Sequence, residues 1–169
     1  MKRFIKIRSL MLTIALLLGT LPVAANNRIL SDDPQTGIPL ALKPFALNGK
    51  GLAAFITDEA GNVTGATTTA AGTATHLGFW TAVGSVRFTN DNGVIRSSGA
   101  ATLTAANGDK LEMEVEGILD QATGIDQGVF RFVGGTGQFA RASGSADSVV
   151  TINPLNGGFE LTLVGKIRF

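Results

Sequence analysis

KLEMEVEGILD, residues 110–120, sets Leu111, Met113 and Val115 in strict alternation with Glu112, Glu114 and Glu116. Successive side chains of a strand face opposite sides, so this segment has one apolar face and one face of carboxylates. A strand buried on both sides is excluded. The closing segment, Gly158 to Phe169, repeats the pattern, with Phe159, Leu161, Leu163, Ile167 and Phe169 on one face and Glu160, Thr162, Lys166 and Arg168 on the other.

Working outward from these two segments, turn signals recur every ten to fifteen residues or so, the spacing of a sandwich or barrel. Asn92-Gly93 and Asn107-Gly108-Asp109 accept the positive φ of tight hairpin turns. Glu59-Ala60-Gly61-Asn62 and Asn153-Pro154-Leu155-Asn156-Gly157-Gly158 mark two more connections. The spacing predicts eight strands near 45–57, 63–74, 77–89, 93–105, 110–120, 126–133, 141–152 and 158–169. No window after the N-terminal segment carries a helical apolar stripe. Eight antiparallel strands joined in sequence close most simply into an all-β, up-and-down β-barrel, because closure removes exposed edges. The chain's 22 glycines, together with its many alanines, let such a wall bend.

MKRFIKIRSLMLTIALLLGTLPVAA, residues 1–25, sets Lys2, Arg3, Lys6 and Arg8 before the apolar run Leu10 to Leu18, with Gly19 and Pro22 ahead of small residues. This is the pattern of a secretory signal peptide, and the run is short for a membrane span. It predicts export to a periplasmic or secreted location. Residues 26–43 mix charges and prolines and read as an extended arm, leaving 44–169 as one barrel domain. Four of the 14 Lys and Arg fall in the signal, so the mature chain carries ten basic and 13 acidic side chains. That balance argues against nucleic acid as a partner. With no cysteine, disulfides and thiolate metal sites are excluded, and stability must come from packing and backbone pairing.

Between the predicted sixth and seventh strands stands Val133-Gly134-Gly135-Thr136-Gly137-Gln138-Phe139. A phosphate-binding glycine loop leads from a strand into a helix. Here the chain continues into the strand-like Ser143-Gly144-Ser145-Ala146-Asp147-Ser148-Val149-Val150, without a Walker lysine. Gly134, Gly135, Gly137 and Gly144 are therefore expected to supply turn geometry, with Phe139 tucked beneath the turn. This stretch, its Ala-Arg-Ala spacer and the following Gly144 resemble the signature of dirigent proteins and allene oxide cyclases. The resemblance extends from about Gly72 to the last strand and implies a calycin-like barrel with an apolar central cavity, often trimeric. Dirigent proteins usually place an arginine before that glycine and a tyrosine after it; this chain has Ser143 and Ser145, and no tyrosine anywhere. The resemblance implies the fold and not the catalysis.

Few residues suggest chemistry. His76, the only histidine, is a candidate general base or ligand contact, though a lone histidine near a strand end is more often structural. Glu112, Glu114 and Glu116 could be taken for a cation site, but alternate positions on a polar face fit a solvated exterior, with Arg96 or Arg131 as cross-strand partners. Adjacent Phe79 and Trp80 must face opposite sides, whereas Phe130 and Phe132 share one against Arg131. Trp80, Phe130, Phe132 and His76 are the expected ligand-binding residues. No serine elbow or catalytic triad stands out, and no cofactor or metal is indicated. The leading expectation is an exported barrel that binds a small apolar molecule without chemistry. The alternatives are a dirigent-like or cyclase-like enzyme, a small outer-membrane barrel ending at Phe169, and a structural role through oligomer contacts.

Overall fold

The computed structural model describes residues 41–169. The expected signal peptide, and the expected arm as far as residue 40, lie outside the described residues. Eight strands run β1 Lys43–Thr57, β2 Val63–Ala74, β3 Gly78–Asp91, β4 Val94–Ala105, β5 Lys110–Asp120, β6 Ile125–Gly135, β7 Ser143–Ile152 and β8 Gly158–Arg168. Each pairs antiparallel with the next, and β8 returns to β1, so the sheet closes as an up-and-down barrel. The barrel begins at Lys43, one residue ahead of the expected boundary, and the strand limits otherwise fall within about three residues of the sequence pattern.

Alternation sets the two faces throughout. Trp80 is 1% exposed inside the barrel while its neighbour Phe79 is 59% exposed outside. In β5, Leu111 and Met113 are buried, and the glutamates between them are exposed. Glu116 accepts a 2.7 Å ion-pair hydrogen bond from Arg131 of β6, and Lys50 of β1 pairs with Glu160 of β8, both on the exterior. The three glutamates are thus a solvated outer face, and one of the two expected arginine partners is the observed one. Arg96 instead lies 3.7 Å from Asp91.

The glycine stretch turns a corner. Val133 is the extra residue of a bulge, since Met113 pairs with Phe132 and Glu112 with Gly134. Gly134, Gly135 and Gly137 all hold positive φ, and a single 3₁₀ turn, Gly137–Phe139, leads directly to β7. Gly137 has a second reason to be glycine, because a side chain there would collide with the Asp109 carboxylate. That carboxylate accepts the Gln138 amide at 3.1 Å. Lys110 N–H donates to Thr136 Oγ1, and Thr136 N–H returns a bond to the Lys110 carbonyl. The turn is thereby fastened across β5, and Phe139 is driven fully into the barrel end.

Candidate functional site

Inward-facing side chains differ sharply along the barrel axis. At the end where β1 starts and β8 finishes, Phe45, Leu47, Leu111, Met113, Leu163 and Ile167 fill the interior, and Phe139 plugs it. The Phe45 and Phe132 rings meet edge to face at 4.8 Å. Toward the other end, between the larger Phe55, Phe88, Ile152 and Phe159, the inward positions shrink to Ala53, Ala66, Ala70, Ala82 and Ala101, with Gly84, Gly99, Gly117 and Gly128 beside them. Such residues cannot span the lumen. They leave a cavity of about 110 Å³, with Trp80, Leu103, Met113 and Phe130 also on its wall.

This cavity meets a wider mouth of about 680 Å³, the two sharing Phe55, Phe88 and Ile152. Asn62, Gln121 and Pro154, from three of the turns at this end, rim the mouth. Trp80 reaches its place because Gly49 and Gly72 pair in register on β1 and β2. A side chain at Gly49 would run into the indole ring. The Trp80 Nε1–H is buried with no acceptor, so the wall contains one unspent donor.

Of the residues expected to bind a ligand, Trp80 and Phe130 line the cavity. Phe132 belongs to the filled end, against Phe45. His76 is at the filled end too, exposed in the turn between β2 and β3 with φ of 67°. Its Nε2 lies 3.0 Å from the Pro44 carbonyl, a partner that can only accept, so the ring is held as a donor there. It also packs edge-on against Phe169, whose other contacts are Phe139 and the Lys43 ammonium. His76 therefore ties the barrel end together and does not line the cavity.

Asp126 is not among the residues expected from the sequence. It shares the inward face of β6 with Gly128, Phe130 and Phe132, and it lines the cavity. Burial pushes its carboxyl above the usual aspartate range, and the Ser97 hydroxyl of β4 offsets part of that rise. The signal was available in Ile125-Asp126-Gln127-Gly128-Val129-Phe130, where the acid falls on the same parity as the phenylalanines. Ser97, nearly fully buried, is the corresponding polar interruption on β4.

Comparison of the sequence with protein-family models and with curated proteins returns no match.

Proposed function

We propose that this is an exported, water-facing barrel that holds a small apolar molecule in its half-hollow interior, without chemistry of its own. The supporting observation is the apolar cavity, left by small side chains on successive strands and open to solvent through the mouth. Pockets that bind small ligands are concave and mainly apolar, with a few placed polar groups. Exposed apolar residues such as Phe79, Val83 and Val164 share the exterior with Lys50, Glu112, Glu114, Glu116, Arg131 and Glu160, and the interior is apolar, whereas an outer-membrane barrel has a polar lumen and an uninterrupted apolar outer band. A second reading, a cyclase-like enzyme of the kind the glycine stretch resembles, is favoured by Asp126, a carboxyl of raised pKa in a cleft.

Native mass spectrometry of the protein purified without detergent tests the binding reading. A reproducible small-molecule adduct is expected, and its mass identifies the ligand. Ala101→Leu fills the cavity and should remove the adduct from folded protein. An adduct that survives in Ala101→Leu would move the site elsewhere. Wild-type protein that retains no adduct and takes up no apolar probe would sink the reading. Turnover in a substrate screen, lost in Asp126→Asn while binding persists, would replace it with the enzyme.

A further inference from the structure

Among the described residues, two ionisable side chains stand at inward-facing strand positions: Lys43, exposed at the very start of β1 over the Phe169 ring at the filled end, and Asp126, the only one on the cavity wall. The strand beside it makes room for it. A side chain at Gly117 of β5 would collide with both Asp126 Oδ1 and Ser97 Oγ, so the missing Cβ is the space the carboxyl occupies. Ser97 Oγ is itself buried, beside the Asp126 carboxyl and close enough to offset part of its pKa rise, but without a well-formed hydrogen bond to any group. The inward groups nearest Asp126 are Ser97 on β4, Gly117 and Leu119 on β5, and Ser148 and Val150 on β7, none of them ionisable.

The charged residues nearest in the chain are engaged elsewhere. Glu116 and Arg96 form their ion pairs on the exterior, and Asp120 accepts bonds from Ala122 N–H and Thr123 Oγ1 within its own turn. A carboxylate half-buried on an apolar cavity wall without a counterion carries a desolvation cost, and a ligand that supplies the cation offsets it. An anionic ligand would add to it, and a neutral one would gain no more than a hydrogen bond.

We infer that the cavity selects a small apolar molecule bearing one protonated nitrogen, with the nitrogen between Asp126 and Ser97 and the apolar part against the alanine wall. This rests on the binding reading above and names its ligand class. An ammonium has three donors; the Asp126 carboxylate accepts one and a lone pair of Ser97 Oγ a second. The inner volume suits a group no larger than a single ring, since a cavity of about 150 Å³ accommodates benzene.

Three probes of one shape and different charge test the inference: benzylamine, benzyl alcohol and benzoate. Trp80 is the sole tryptophan, no tyrosine is present, and the indole forms part of the cavity wall, so its fluorescence reports occupancy directly. Calorimetry supplies the affinities. Benzylamine should bind about tenfold or more tighter than benzyl alcohol near neutral pH, as expected for a hydrogen bond to a charged group, and benzoate weakest. Asp126→Asn should abolish the preference for the amine and leave the alcohol's affinity within about twofold.

In wild-type protein, lowering the pH from about 8 to about 4 protonates the carboxyl and should erode amine binding alone. That series needs no variant and stands even if Asp126→Asn misfolds. Equal affinity for amine and alcohol, or a preference that survives Asp126→Asn, would overturn the cation anchor while leaving the apolar cavity intact. Binding of none of the three would overturn both.

Discussion

The two ends of the barrel obey the same alternation of faces and reach opposite results. At one end the inward positions carry Phe45, Leu47, Leu111, Met113, Leu163 and Ile167, the lumen is packed, and Phe139 seals it. At the other, alanines, glycines and threonines alternate with a few larger residues such as Phe55, Phe88 and Ile152, too few to fill the lumen, and it stays open. Strand periodicity decides which residues face inward, and side-chain volume then decides whether the inside is a core or a container. With no cysteine in the chain no disulfide adds to the packing, and the packed end holds most of the fully buried apolar side chains.

The largest expected effect lies at the packed end. Phe139 is fully buried, and its ring touches Phe169, which in turn bears on His76 and Lys43. Phe139→Ala should cost about 3–5 kcal/mol, the usual cost of emptying a fully buried aromatic site. Denaturant unfolding measures this, and a loss below about 1 kcal/mol would show that the plug is dispensable.

The same experiment at the hollow end should give a different answer. Ala101→Leu adds methylenes where space already exists, and its stability should stay within about 1.5 kcal/mol of wild type while apolar ligand binding is lost. A destabilisation as large as that of Phe139→Ala would mean that the cavity is closed in solution, and the contrast between the ends would fail.

How much of this contrast was legible depends on what each residue reports. Alternation in KLEMEVEGILD and the asparagine-glycine turns were enough for eight strands, their order and the closed barrel, because backbone pairing is local and periodic. The role of Gly134, Gly135, Gly137 and Phe139 was legible as well, since a strand and not a helix follows them. The division into full and empty halves was not, because it sums the volumes of eight strands at one height, and that height follows from the register. His76 and Phe132 were grouped with Trp80 for the same reason: side-chain chemistry nominated them, and only the register separates the filled end from the cavity. Asp126 was legible from parity but was overshadowed by the three glutamates, whose number drew attention to a face that is merely solvated.

Asp126 also gives the smallest of the three effects and the most specific. Its pKa is raised in the folded protein, so in the window between the ordinary aspartate value and that raised value the native state holds more protons than the unfolded one. Wild-type stability therefore falls as pH rises through that window and the penalty is constant above it. Asp58 and Asp120 work in the opposite sense, since hydrogen bonds within their turns lower their pKa values and acid removes their contribution. Those contributions are common to wild type and Asp126→Asn and cancel in the difference between the two. Asp126→Asn should thus melt slightly above wild type at neutral pH, by less than either packing substitution changes stability, and the gap should close as pH falls toward the ordinary aspartate range. A gap that widens in acid would mean that the carboxylate is stabilised in the fold, by a counterion or by donors stronger than the single Ser97 hydroxyl, and the hollow end would then lack the uncompensated charge from which the proposed cation preference is drawn.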